Sequence, residues 1–333
     1  MLHAMVKVTI RHLVFALVIF AWLPNEVAAR PKQVDLDKIG LRNINAGQIN
    51  FFSIEKEIAI GKQLSLEVEQ SSRILTDPEV TEYINRLGQN IVRNSDAQVP
   101  FVVKVIDSDE VNAFALPGGF FYVNTGLILA AQEESELAGV MAHEIAHVAA
   151  RHATEQFSKG RLFSLASIPL VFVGGPLGFG IQQAISILVP IQFLQFSRGS
   201  EREADFLGLQ YLYKTGYDPE SFISFFEKVS AREKKKSSLW SRAFSTHPMT
   251  KDRISLAQKE IRGLLPIHEE YVLNTSEFDR VKARLKAQTD PANNGSGEPG
   301  DLPQLKRKPQ PAEESSGDEH TPIDDIPKLT RNP

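Results

Sequence analysis

The chain has 333 residues, 42% of them hydrophobic, and a formal net charge of −4. That is enough apolar content for one large domain or two small ones, and the absence of a basic surplus gives no sign of a nucleic-acid partner. Cysteine is absent, so disulfides, thiolate catalysis and cysteine–zinc sites are excluded and any metal must be held by His, Asp or Glu.

Residues 1–29 have the layout of a secretory signal peptide. Lys7 and Arg11 precede the apolar run 13–23, and Val27-Ala28-Ala29 offers a small-residue cleavage site. The apolar run is shorter than the roughly 20 residues a membrane span needs. The expected destination is the bacterial periplasm. Residues 30–50 read as a polar linker, followed by a domain over 51–265.

Inside that domain, Ile54, Ile58, Leu64 and Val68 recur at helical spacing. Asp77-Pro78 opens a second helix carrying Val80, Ile84, Leu87 and Ile91. Three β-rich runs follow, over 99–106, 111–116 and 120–123, with a Pro117-Gly118-Gly119 turn between the last two. They predict a small antiparallel sheet. A helix is expected from about Thr125 to Gln156. The fold class is therefore α+β: a mainly helical domain with a small sheet ahead of the motif helix.

The stretch 162–196 has no charged residue. Pro169, Pro176, Pro190 and several glycines argue against one continuous helix. It reads as a pair of short apolar helices over the site, an active-site lid, with a membrane-contacting loop as the alternative. Helical sequence resumes from about 200 to 262. Residues 266–286 read as a helical extension. From 287 to 333, prolines crowd together with Asn, Gly, Ser and acidic residues, a composition too polar to fold.

Residues 143–147 read His-Glu-Ile-Ala-His. On a helix, positions i and i+4 lie about 40° apart, so His143 and His147 can grip one cation. Glu144 then projects toward the open position as general base on zinc-bound water. The flanking residues are small or apolar nearly all round. The helix should be buried, and two buried imidazoles beside a carboxylate need a partner. Gly139 interrupts the pattern and suggests a close approach of another element. The expected cofactor is one Zn2+ per chain.

A catalytic zinc needs a third protein ligand. On a continuous helix His152 lies about 180° from His143 and is not a ligand. No Asp, Glu or His occurs between Glu155 and Glu201. The first candidate is Glu201, with Asp205 one turn on to accept a hydrogen bond from a ligand histidine. Glu203 is expected to point away.

These motifs resemble the two metal motifs of the gluzincin peptidase family that includes HtpX and the CaaX prenyl proteases. The likeness is closer to its BepA-type periplasmic zinc metalloproteases. Asn112-Ala-Phe-Ala-Leu-Pro-Gly-Gly119, Phe121-Tyr-Val-Asn-Thr-Gly126, Ser197-Arg198, Thr246-His247-Pro248 and Arg253-Ile254 extend the resemblance over about 50–262. It implies that the strand with Asn112, Ala113, Phe114 and Ala115 is an edge onto which a peptide substrate adds. His247 either stabilises the oxyanion or fills the open coordination place at rest, and Arg253 supports that region. The implied role is hydrolysis of unfolded or misassembled envelope proteins, with a chaperone-like peptide binder of low proteolytic activity as the alternative. The helical-repeat domain of BepA-type proteins and the membrane spans of HtpX are not expected here.

Overall fold

The computed structural model describes residues 35–173, 196–233, 247 and 250–289. The expected signal peptide, residues 174–195 of the apolar stretch and the tail beyond 289 lie outside the described residues. Two capped helices open the domain. Ser53 accepts a hydrogen bond from the Lys56 N–H at the start of α1 (Ile54–Ser71). Asp77 does the same for Glu79 and Val80 in α2 (Pro78–Arg93), with Pro78 in the first turn, where its missing N–H costs nothing. Val80, Ile84, Leu87 and Ile91 on α2 are buried.

The sheet comprises β1 (Val102–Ile106), β2 (Ala113–Leu116) and β3 (Phe120–Asn124) in the order β1-β3-β2. β2 pairs antiparallel with β3, but β1 pairs parallel with it. The sheet is therefore mixed, where an antiparallel one was expected. The Pro117–Gly119 turn folds β3 back on β2. The 107–112 connection spans two strand spacings, about 10 Å, and leaves a slot that β3 fills beside β1. The outer edge of β1 is covered by residues 73–75: the Leu75 N–H donates to Val105 O and the Asp107 N–H to Arg73 O. The outer edge of β2 lies on the other side of the sheet.

The single helix expected from 125 to 156 is divided into α3 (Thr125–Ala130), α4 (Glu134–Ala149) and the start of α5 (His152–Val173). At the first break Glu136 Oε2 accepts from the Gln132 N–H at 2.7 Å, a local bond that replaces the helical one. At the second, Arg151 takes a left-handed φ of 55°. Its side chain holds that conformation by donating to Glu57 Oε2 at 2.8 Å and to Phe52 O at 2.7 Å. α5 runs through Pro169 to Val173, because a proline removes one ladder bond without always ending a helix.

All of α4 is buried. It packs against α6 (Arg198–Lys214), α7 (Glu220–Glu233), α2 and β2. Two glycines set these approaches. A Cβ on Gly139 would sit 3.1 Å from Phe222 Cα on α7, and one on Gly208 of α6 would sit 3.1 Å from His143 Cα and N. α8 (Lys251–Leu264) packs on α6 and α7, and α9 (Ser276–Thr289) on α2 and α3, burying Phe278, Val281 and Leu285. The expected extension thus begins as a loop and ends in a helix docked on the core.

Residues 35–50 are not a free linker. Arg42 is buried and donates from Nε to Asp96 at 3.2 Å and from Nη1 to Gln210 at 2.6 Å. Asn45 and Gln48 donate to the carbonyls of Ala149 and Ala150, at the end of α4. The segment looked like a linker because it attaches largely through polar side chains, which hydropathy does not register, beside a few apolar ones such as the buried Ile44. Among the described residues, no helix is long and apolar enough to cross a membrane.

Candidate active site

His143 and His147 lie one turn apart on α4, with their Nε2 atoms 3.1 Å apart. Glu201, in the first turn of α6, brings Oε2 to 3.6 Å from His143 Nε2 and Oε1 to 3.6 Å from His147 Nε2. A tetrahedral zinc site with ligand bonds of about 2.1 Å has edges of about 3.4 Å between ligand atoms. The two ring nitrogens at 3.1 Å, with a different Glu201 oxygen 3.6 Å from each, are close to such edges. His247 completes a buried group of four whose ligand atoms all lie within 4.8 Å of one another. Its Nδ1 is 2.7 Å from Glu201 Oε1, and its Nε2 is 3.7 Å from Glu144 Oε1.

Asp205 lies one turn beyond Glu201. Its Oδ1 is 3.1 Å from His143 Nδ1, on the side of the ring away from His147. Arg253, from the first turn of α8, donates to both Asp205 oxygens at 2.7 and 2.6 Å. Its Nη1 also reaches Glu201 Oε2 at 2.9 Å and the His247 carbonyl at 3.3 Å. One guanidinium thus ties together α6, α8 and His247.

The electrostatics are internally balanced. Burial opposes charge on His143, but the Asp205 and Glu201 carboxylates outweigh it and lift its pKa to about 9. Burial, with the neighbouring cationic groups, pushes His147 well below its ordinary value, so it is neutral. Burial works against ionisation of Glu201, yet His143 at 3.6 Å and the hydrogen bond with His247 hold it well below the carboxylate range. Asp205 is held down against burial by Arg253 and His143. Asp205 and Glu201 thus face Arg253 and a His143 whose charged form they favour. Burial raises Glu144 above its usual range. Its Oε1 is buried with no hydrogen-bond partner, as suits a group that must handle a proton.

β2 runs beside this glutamate, and the nearby Ala115 backbone N–H partly offsets the effect of burial on it. The Asn124 N–H donates to Asn112 O. In an antiparallel ladder such pairs alternate, so Asn112 and Phe114 face β3 while the N–H and C=O groups of Ala113 and Ala115 point to the outer edge.

Two contacts escaped the sequence reading. The Phe196 ring stacks on His147 with centroids 4.2 Å apart, and no periodicity marked it. His152 is buried with Nδ1 2.9 Å from His147 Nδ1. It is not one of the four metal-competent residues, but the break at Arg151 returns it to the site. Glu203, expected to point away, lies 3.4 Å from His152 Nε2.

Residues 76–261 match peptidase family M48. The chain belongs to that family. Zinc is the family's metal, and the four-residue group could hold such an ion. The chain is 30% identical over 240 residues to the Beta-barrel assembly-enhancing protease of Escherichia coli (strain K12), covering 70% of this chain and 48% of that protein. The protein of the same name from Yersinia pestis is 31% identical over 230 residues, 64% of this chain and 46% of its own length. Mitochondrial metalloendopeptidase OMA1 of Schizosaccharomyces pombe is 32% identical over 215 residues, 63% and 62% of the two chains. The chain spans about half the length of the assembly-enhancing proteases it matches.

Proposed function

We propose that the chain is a zinc-dependent endopeptidase for unfolded or misassembled envelope polypeptides, with His143, His147 and Glu201 as the metal ligands. The observation that carries this reading is the buried group of His143, His147, Glu201 and His247, with ligand atoms within 4.8 Å of one another and an unpartnered carboxyl oxygen of Glu144 beside it. Zinc bound there supplies Lewis acidity, which polarises a peptide carbonyl and makes water more acidic. Glu144 removes a proton from the attacking water and passes it to the departing amine. His247 faces Glu144 and is placed to steady negative charge on the carbonyl oxygen; its nearness to Glu201 equally suits it to fill the fourth place when no substrate is bound. Asp205 fixes the ring of His143, and Arg253 holds both carboxylates in place.

An extended substrate adds to the outer edge of β2 through the backbone of Ala113, which explains tolerance of many side chains. Residues 1–29 direct export to the periplasm, and the apolar stretch 162–196 serves as a lid or as a membrane contact. Relatives named for enhancing β-barrel assembly support the choice of envelope proteins as substrates.

The test compares wild type with Glu144→Gln for zinc content and cleavage of casein. The variant is expected to keep its zinc and lose cleavage by at least roughly a hundredfold, the scale of a general base. Undiminished cleavage would remove Glu144 from the mechanism. An envelope function that survives the substitution would favour a peptide-holding role instead.

A further inference from the structure

We propose that His152 is a positioning residue that fixes the tautomer and orientation of His147 through an imidazole–imidazole hydrogen bond; this rests on His147 being a zinc ligand. The two Nδ1 atoms stand 2.9 Å apart and both side chains are buried. At that distance one nitrogen donates and the other accepts. A neutral imidazole carries one proton. A ligand Nε2 must offer its lone pair, so the proton of His147 resides on Nδ1 and is donated to His152. His152 therefore accepts through Nδ1 and carries its own proton on Nε2, facing Glu203 Oε2 at 3.4 Å. The Glu203 side chain is a quarter exposed, so the chain of groups runs from the buried ligand to the protein surface.

The two ligand histidines are thus oriented differently. His143 is held by Asp205, whose charge is bound by Arg253. His147 is held by a neutral ring, and only the group behind that ring is a carboxylate.

The backbone shows how the contact is made. Continued as a helix, α4 would carry His152 to the face opposite His143. Arg151 instead adopts a left-handed φ of 55°, at a cost of about 1–2 kcal/mol for a residue with a Cβ. Its guanidinium, bonded to Glu57 and to the Phe52 carbonyl, stabilises that turn. The kink starts α5 at His152 and swings the ring back onto His147, with ring centroids 4.9 Å apart at 72°. A histidine merely filling core space would need neither the kink nor the facing nitrogens.

The experiment uses the full chain loaded with zinc. Asn places an acceptor close to the position of an imidazole Nδ1, whereas Leu fills the space without one. Zinc affinity is measured by competition with a chromophoric chelator, well below the melting temperature of each variant. Loss of a group that orients a metal ligand typically weakens affinity roughly 10–100-fold, the loss expected for His152→Leu, while His152→Asn stays within about threefold of wild type. Nitrogen-15 spectra of the zinc-loaded wild type should show His147 bound through Nε2 with a slowly exchanging Nδ1–H. His152→Asn should keep that proton signal. Ligation of His147 through Nδ1, or a folded His152→Leu with unchanged zinc affinity, would overturn the proposal. Should His152→Leu fail to fold, the wild-type tautomer and the Asn variant decide. If His147→Ala binds zinc as tightly as wild type, the ligand assignment itself fails, a result separate from any effect at His152.

Discussion

Replacing Arg253 by Met tests the charge arrangement most directly, because it keeps the apolar stem and removes only the guanidinium. Arg253 is 4% exposed, Asp205 3% and Glu201 4%. The wild-type side chain makes two bonds to Asp205 at 2.6 and 2.7 Å and stands 2.9 Å from Glu201. The variant leaves Asp205 and Glu201 buried without the guanidinium that faces both. Breaking a buried pair by removing one partner costs about 3–5 kcal/mol. In a domain of this size about 1 kcal/mol moves Tm by 2–4 °C, so the metal-free variant should melt roughly 6–20 °C below wild type. Zinc would add two positive charges next to Glu201 and one ring away from Asp205, and so replace part of what the arginine gave. The zinc-loaded variant should therefore lose about half as much, and zinc should raise the Tm of the variant more than that of wild type. Scanning calorimetry of both proteins, with chelator and with excess zinc, reads all four values. A metal-free drop below about 3 °C, or equal drops in both states, would show that Arg253 does not neutralise this pair.

Other expectations follow from the same geometry. The folded-state pKa of His143, raised to about 9, means that its charge stabilises the metal-free fold fully below the ordinary value of 6.5 and is lost as pH rises toward 9. Metal-free denaturant midpoints should accordingly fall between pH 6.5 and 9, and a flat profile would contradict the assignment. Gly208→Ala sets a Cβ 3.1 Å from the backbone of His143; overpacking of about 1–3 kcal/mol outweighs the gain of about 1 kcal/mol in helix propensity. Zinc affinity should drop with it, whereas Gly263→Ala, with open space around it, should leave affinity unchanged. Ala113→Pro removes an outward N–H without touching a β2–β3 bond. Cleavage of an unstructured peptide should slow roughly 2–13-fold, the value of one hydrogen bond, at unchanged zinc content. Arg42→Met strands Asp96 in the core, and should lower Tm in both metal states alike, in contrast to Arg253→Met.

Much of the site was legible because its signals are short-range. The spacing of His143 and His147 is a property of one helix, and so is that of Glu201 and Asp205. The empty interval between Glu155 and Glu201 named the third candidate by elimination. Burial of α4 was legible from its small and apolar flanks, and Gly139 marked the approach of α7. His247, Arg253 and the β2 edge were reached through family resemblance, since a lone His-Pro and a lone arginine carry no spacing rule. The parallel pairing of β1 was hidden, because strand direction depends on where a connection lands and not on strand composition.

The sequence by itself determined the ligand types, the two helical pairs and the burial that makes an ion their natural partner. These depend on local periodicity and on chemistry that excludes cysteine. Tertiary structure alone decided that Glu201 meets the two imidazoles, that residues 35–50 clamp the core, and that His152 turns back onto His147. Each of these depends on long-range packing or on one backbone angle. The φ of Arg151 is the sharpest case: it is fixed by Glu57 and Phe52, 94 and 99 residues earlier in the chain, and no local pattern around Arg151 encodes it.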